Sequence, residues 1–440
     1  MFLLQDSNFS AARSSQTKEF SPIDYVESLS MAMDLISPEI YDHHRRVAYI
    51  SWQIARELAL PERDRNNIVL AALMHDCGAV SMPNRLLTLL HFELNDTDDP
   101  NLLRHAETGY MLLKKFRPFR EIARIVRIHH HPWCSLNGRT PEATAIGGNI
   151  IHVADRLDVL VKKSANPLLF RAEIVAQIKQ NSGSLFKPDL VEAIDGLARK
   201  ESFWLDIANI SMFHSLGSFM DIGKNLPDCE SMDSLQELTQ VFGNIIDFRC
   251  SFTASHSTVV AAMSGALARL AGFSDDECIM MEVAGHLHDL GKLAIPVEII
   301  HKPTALSKEE FAVIQSHSYY TFKVFSKFRN MDRIRRWAAF HHERLDGTGY
   351  PFKVCGDDLD LGSRIVAVAD VYTALSEDRP YRKGLAAEET LAILKKMTGG
   401  ALDGKVIDLL EENYPDLHRI TTIARSETQR QYEEFRHILD

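Results

Sequence analysis

Two histidine–aspartate dipeptides, His75-Asp76 and His288-Asp289, each close an apolar stretch and place one imidazole beside one carboxylate. That donor pair suits Fe, Mn, Ni or Zn rather than Mg or Ca, and a carboxylate can bridge two cations. In the second half of the chain the pair belongs to a longer ordered set: His256, His288, Asp289, His317, His341, His342 and Asp370. Six of these groups plus solvent can fill two coordination spheres around a bridging Asp289. Two metals about 3.5–4 Å apart are the usual device for in-line attack at phosphorus, because they acidify a shared water and neutralise phosphate oxygens. Lys292, four residues beyond His288, is expected on the same helical face.

The set occurs twice. His43, His75, Asp76, His105, His129, His130 and Asp155 repeat the order. The offset is 213 for the first three, 212 for the next three and 215 for the last. Such near-constant spacing marks tandem copies. The expected division is an arm over 1–23, a first copy over 24–205, a linker over 206–235, and a second copy with a C-terminal helix over 236–440. His286, His301, His418 and His437 fall outside the pattern and read as ordinary histidines. His44 and His131, beside proposed ligands, belong to their surroundings.

The elements that must carry these groups are helical. VAYISWQIARELAL and TVVAAMSGALARLAGF space apolar residues by three and four, the helical period. No run alternates long enough for a sheet, and RLDGTGYPFKVCGDD is the one turn-rich break. The fold class is therefore all-α, two tandem helical bundles, with ligands converging from separate helices on each bundle core. The last twenty residues read as a charged, solvated helix.

Composition narrows the partners. The chain has 440 residues, 45% hydrophobic and 25% charged, which fits a globular protein and excludes a disordered or fibrous one. A net charge of −11 disfavours polymeric nucleic acid and anionic membranes while leaving room for a small anion in a locally basic pocket. No stretch reaches the roughly 18 apolar residues of a membrane span, and MFLLQDSNFS lacks a signal-peptide pattern. Six scattered cysteines without a CxxC pair point to reduced thiols and a cytoplasmic setting.

HDLGKLAIP and HHERLDGTGYP resemble the two signatures of the HD-GYP phosphodiesterases, a bacterial branch of the HD superfamily. HKPTALSKEEFAVIQSH and VADVYTALSEDRPYR follow the same family's pattern, so the resemblance spans nearly the whole second copy. It implies an all-helical domain that hydrolyses cyclic dinucleotides with two or three non-haem Fe or Mn ions. It implies that His256, His288, Asp289, His317, His341, His342 and Asp370 are the ligands and that Lys292 contacts the scissile phosphate. Gly349, Tyr350 and Pro351 would shape the loop beside the site, and Arg379 and Arg382 would face substrate phosphates. Phe252 stands where some members place a third-metal glutamate, so two divalent ions are expected, Fe or Mn with Ni as an alternative.

The first copy has Ala79 in place of Lys292 and no DGxGYP after His130. It therefore resembles a degenerate HD-GYP domain, regulatory or structural, with a candidate second metal site. The tandem arrangement resembles enzymes that open 3′3′-cyclic GMP–AMP. Cyclic di-GMP hydrolysis, a non-catalytic cyclic dinucleotide receptor and an HD-type mononucleotide phosphohydrolase are the alternatives. The oligomeric state is open.

Overall fold

The computed structural model describes residues 22–35, 40–79, 100–136, 138, 140–163, 166–212, 216, 231–249, 255–326, 331–378 and 383–439. The N-terminal arm, Phe252, Arg379 and Arg382 lie outside them. The first copy contains α1 (Pro22–Asp34), α2 (His43–Glu57), α3 (Glu62–Met74), α4 (Pro100–Leu113) and α5 (Arg120–Ile128). It continues with α6 (Glu142–Lys163), α7 (Pro167–Gln180), α8 (Pro188–Leu197) and α9 (Glu201–Ala208). The second contains α10 (Met232–Arg249), α11 (His256–Leu270), α12 (Asp275–Leu287), α13 (Lys308–Phe325) and α14 (Asp332–Ala339). It ends with α15 (Leu361–Ser376), α16 (Ala387–Lys396), α17 (Gly404–Glu412) and α18 (Tyr414–Leu439). Among the described residues no strand forms; two isolated bridges, Ser182–Phe186 and Thr398–Leu402, occur at matching points of the copies. The fold is all-α.

Local chemistry sets where these helices begin. Ser274 and Ser307 cap α12 and α13 through reciprocal capping boxes with Glu277 and Glu310. Asp360 accepts from the Ser363 amide to start α15. α12 stops at His288, and the chain tightens into a 3-10 turn over Leu290–Ala294. His288 and Lys292 therefore do not share an α-helical face as their spacing suggested. Three-residue periodicity aligns Lys292 with Asp289 instead.

The tight turn requires glycine. A Cβ on Gly291 would sit 1.9 Å from the His317 carbonyl oxygen, and one on Gly78 would sit 2.1 Å from that of His105. Each His-Asp turn is thereby pressed onto the helix that carries the next histidine. In the second copy Thr321 adds a clamp: its hydroxyl accepts from Gly291 N at 2.9 Å and donates to His288 O at 3.1 Å.

Within each copy the paired helices pack as α2 on α3 and α6, and as α11 on α12 and α15. The copies interlock through their leading helices. α1 packs against Leu290–Ala294 and α13, while α10 packs against α4. One continuous apolar core runs from Ile23 through Phe242 and Trp337 to Leu417. α18 departs from the expected solvated helix. Leu417, Thr421 and Thr428 are buried along one stripe, Tyr432 packs against the core, and the helix lies on α11 and touches α4. Hydroxylated residues at Thr421, Thr428 and Tyr432 hide that stripe from a reading of hydrophobicity alone.

Gly291→Ala should destabilise the chain by about 1–3 kcal/mol, the range for overpacking a tight contact. The measurement is a lowered denaturant midpoint at unchanged slope; an unchanged midpoint would contradict the close approach.

Candidate metal centre

Each ligand-type residue sits at a helix end or on an inward helical face. His256 opens α11, and His288-Asp289 follows α12. His317 lies within α13, His341-His342 follow α14, and Asp370 lies within α15. All but His342 are buried, and His342 is half-buried. Helix ends suit this task because a side chain just past the last turn can point back over the bundle core.

The seven groups meet at Asp289. Its Oδ2 lies 3.2 Å from His288 Nε2 and 3.8 Å from His256 Nε2, while its Oδ1 lies 3.4 Å from His317 Nε2. Asp370 Oδ1 closes the first side, 3.2 Å from His256 and 3.9 Å from His288. Three donor groups result, His256–His288–Asp370 and His317–His341–His342 on the two sides and His288–Asp289–His341 between them, each with donor atoms within 4.8 Å of one another. One carboxylate oxygen of Asp289 faces each side. This is the arrangement a dinuclear centre needs.

The histidines are oriented by hydrogen bonds from Nδ1 to backbone carbonyls three residues back: His288 to Gly285 at 2.7 Å, His317 to Ile314 at 2.6 Å, His341 to Ala338 at 2.7 Å. Those bonds leave Nε2 as the inward donor. His288 Nε2 is buried without a hydrogen-bond partner, a cost that a bound cation would remove. The donor set therefore fits a transition metal.

Charge supports the same conclusion. Burial, reinforced by neighbouring histidines, holds His341 well below the usual imidazole range and His342 at about 3. Burial also takes His317 to about 4. These rings are neutral at pH 7 and keep a lone pair for a metal. Burial alone would raise Asp289, but His288, Lys292 and His317 outweigh it and hold the carboxyl well below its ordinary range. His256 runs the other way: burial opposes its charge, yet Glu377 and Asp370 raise it well above an ordinary histidine. Without a metal the carboxylates keep a proton there.

Lys292 Nζ lies 2.5 Å from Asp289 Oδ2 and is about one-third exposed, so its charge borders both the cluster and solvent. The GYP loop forms the adjoining wall. The Tyr350 ring lies 4.8 Å from that of His342, and Tyr350 N donates to His342 O at 3.1 Å. A Cβ on Gly349 would meet Glu343 Cα and Arg344 N at 2.5 Å, so only glycine fits. The Tyr350–Pro351 peptide is cis.

Four supporting carboxylates escaped the sequence reading. Glu377 lies 3.3 Å from His256 Nδ1. Asp247 accepts from Ser257 N at 3.0 Å and Oγ at 2.7 Å, fixing the start of α11. Glu343 accepts from Phe352 N at 2.6 Å and anchors the GYP loop. Asp158 holds His43 Nδ1 at 2.7 Å in the first copy. Of these, only Asp158, one helical turn after Asp155, carried a spacing signal.

The first copy builds a parallel cluster. Asp76 Oδ1 lies 3.2 Å from His105 Nε2, and Oδ2 lies 3.3 Å from His75 Nε2 and 3.8 Å from His43 Nε2. Its donor groups are Asp76–His105–His129–His130 and His43–His75–Asp76.

Known proteins sort this geometry. Residues 240–406 and residues 40–160 each match a family described as HD domain. The chain belongs to the HD-domain family. It is similar to the 3′3′-cGAMP-specific phosphodiesterase 1 of Vibrio cholerae serotype O1, 29% identical over 91% of this chain and 93% of that one. It is also similar to the cyclic di-GMP phosphodiesterase response regulator RpfG of Xanthomonas campestris pv. campestris, 34% identical over 40% of this chain and 47% of that one. The crystal structure of a cyclic GMP-AMP specific phosphodiesterase of V. cholerae, V-cGAP3, has the same fold. Its TM-score is 0.61 at 23% identity, covering 90% of this chain and 98% of that one. HD domains are metal-dependent, and both copies carry ligand clusters that suit them.

Glu377→Gln should weaken divalent-metal binding by about 10–100-fold, as loss of a carboxylate behind a ligating histidine typically does. Competition with a chromogenic chelator reads this; unchanged affinity would show that Glu377 does not support His256.

Proposed function

We propose that this chain is a metal-dependent phosphodiesterase that opens a cyclic dinucleotide to the linear dinucleotide in its second copy, with 3′3′-cGAMP the favoured substrate. The observation that carries the reading is Asp289, set between two imidazole groups with Lys292 against it. Similarity over nearly the full length to a 3′3′-cGAMP-specific enzyme supports the substrate. Cyclic di-GMP is the second reading, favoured by the likeness of the second-copy region to cyclic di-GMP phosphodiesterases. Both ligands present the same macrocyclic phosphates.

In this reading His256, His288 and Asp370 would hold one ion and His317, His341 and His342 the second, with Asp289 serving both. Two Fe or Mn ions would supply Lewis acidity and an activated water. Lys292 stabilises charge growing on the scissile phosphate, or delivers a proton to the departing 3′ oxygen. Tyr350, held over His342 by Gly349 and Glu343, limits how a nucleotide enters. Arg379 and Arg382 are assigned to outer phosphates on the family resemblance alone.

The first copy, proposed over 24–205, lacks the Lys292 equivalent and the GYP loop and is read as the regulatory or structural partner. Its helix α1 lies against the turn that carries Lys292. Among the described residues no helix is long and apolar enough to cross a membrane. Cys77, Cys134, Cys278 and Cys355 are free thiols, which supports the cytoplasmic assignment.

Metal-loaded protein should convert 3′3′-cGAMP to a linear dinucleotide and leave a deoxynucleoside triphosphate intact. Hydrolysis of the triphosphate with cyclic dinucleotides untouched would replace this reading with a mononucleotide phosphohydrolase; binding without turnover would replace it with a receptor. Lys292→Ala should lower kcat by about 10²–10³, the usual loss when one oriented charge-stabilising group is removed, with metal content unchanged.

A further inference from the structure

Of the histidine ligands in the second copy only His342 is half-buried, so the cluster nears solvent on the side where the GYP loop stands. Two aromatic rings lead outward from it. The Tyr350 ring lies 4.8 Å from that of His342, and the Phe311 ring lies 6.3 Å from that of Tyr350, nearly perpendicular to it at 81°. Tyr350 is half-buried, whereas Phe311 is 47% exposed.

Phe311 belongs to α13, the helix that supplies His317. It stands seven residues before Ser318, on the same helical face and about 10 Å back along the axis. Ser318 is buried, with its Oγ 3.2 Å from His317 Nε2. That face therefore meets the metal cluster at one end and carries Phe311 at the other. The outer end is held firmly. Phe311 N donates to Ser307 O at 2.9 Å, beside the capping box of Ser307 and Glu310, and Lys302 pairs with Glu310 at 2.6 Å. Tyr319, the other exposed ring on this helix, is engaged: Lys323 Nζ lies 5.4 Å over it and the Phe352 ring 6.2 Å from it. The repeat offset of 212 puts Asp99 at the position of Phe311 in the first copy, which also lacks the DGxGYP sequence. The ring pair goes with the copy that carries Lys292.

A single exposed phenylalanine is ordinary on a protein surface. This one stands at the edge of a phosphate-directed centre, where a nucleotide held by its phosphate leaves a flat base outside the polar cluster. We propose that the exposed face of Phe311 stacks one nucleobase of the cyclic dinucleotide whose phosphate docks at the metal centre beside Lys292. The inference rests on the substrate class assigned above and adds the residue that holds the base. Every base has a π-face, so such a stack strengthens binding without reading base edges. Phe311 therefore serves 3′3′-cGAMP and cyclic di-GMP alike, and the choice between them lies in other contacts.

The test uses full-length chains loaded with Mn(II). Binding of 3′3′-cGAMP and cyclic di-GMP is measured by calorimetry in the Lys292→Ala background, where turnover is slow, and kcat and KM are measured with Lys292 in place. Phe311→Ala should weaken binding of both dinucleotides by about 5–100-fold, the usual loss for one base-stacking ring. It should raise KM while kcat changes much less, the pattern of a contact made equally in ground and transition states. Phe311→Trp should restore affinity and Phe311→Leu should not, because leucine returns the apolar bulk without the flat face. Unchanged affinity in Phe311→Ala, full rescue by Phe311→Leu, or loss of bound Mn in Phe311→Ala overturns the proposal. Binding without turnover by the wild type ends the phosphodiesterase reading, and the ratio of dissociation constants still decides Phe311. If the wild type neither binds nor turns over either dinucleotide, both fall.

Discussion

The structure depends on one buried carboxylate shared between two groups of imidazoles. Asp289 is buried, and leaving it uncompensated would cost several kcal/mol. Its neighbours include rings held neutral by burial, so they contribute lone pairs more than charge. The neutral His317 and His341 rings and a buried His288 Nε2 without a hydrogen-bond partner face this carboxylate, an arrangement that suits bound cations. The surrounding construction keeps it that way. Helix ends deliver the histidines, backbone carbonyls turn their Nε2 atoms inward, and Gly291 lets the His-Asp turn press onto α13.

Duplication reused that construction and changed its charges. Asp76 bridges two donor groups as Asp289 does, from the same kind of turn on the same kind of glycine. Around it, however, the lysine is gone and three arginines, Arg45, Arg46 and Arg156, have entered at positions where the second copy has Thr258, Val259 and Val371. The second copy spends its local positive charge where a phosphate would dock, on Lys292. The first spends it internally, against Asp155 and Asp158. The leading helix of each copy packs on the other, so the scaffold of the first is part of the environment of the second even where its chemistry has diverged.

Much of the centre was legible in the sequence because ligation constrains residue type and spacing together. An ordered set of histidines and aspartates repeated at near-constant offset survives any reading of secondary structure. The helices were legible for the ordinary reason, their apolar period. What was hidden depends on contacts without local signature. Glu377 reaches His256 across 121 positions, and Glu343 acts through the shape of a loop nine residues on. The 3-10 turn under Lys292 was also hidden, because a four-residue spacing reads as one helical face until the chain is seen to tighten. The inward stripe of the last twenty residues carries no strong apolar period because Thr421, Thr428 and Tyr432 form it.

Asp289 is placed to bridge two metals in the second copy. Electron paramagnetic resonance of Mn(II)-loaded protein addresses it directly, since bridged ions couple magnetically and isolated ions do not. A coupled spectrum is expected in the wild type, persisting in Asp76→Ala and lost in Asp289→Ala. A coupled spectrum that survives Asp289→Ala, or one that disappears with Asp76→Ala alone, would contradict it.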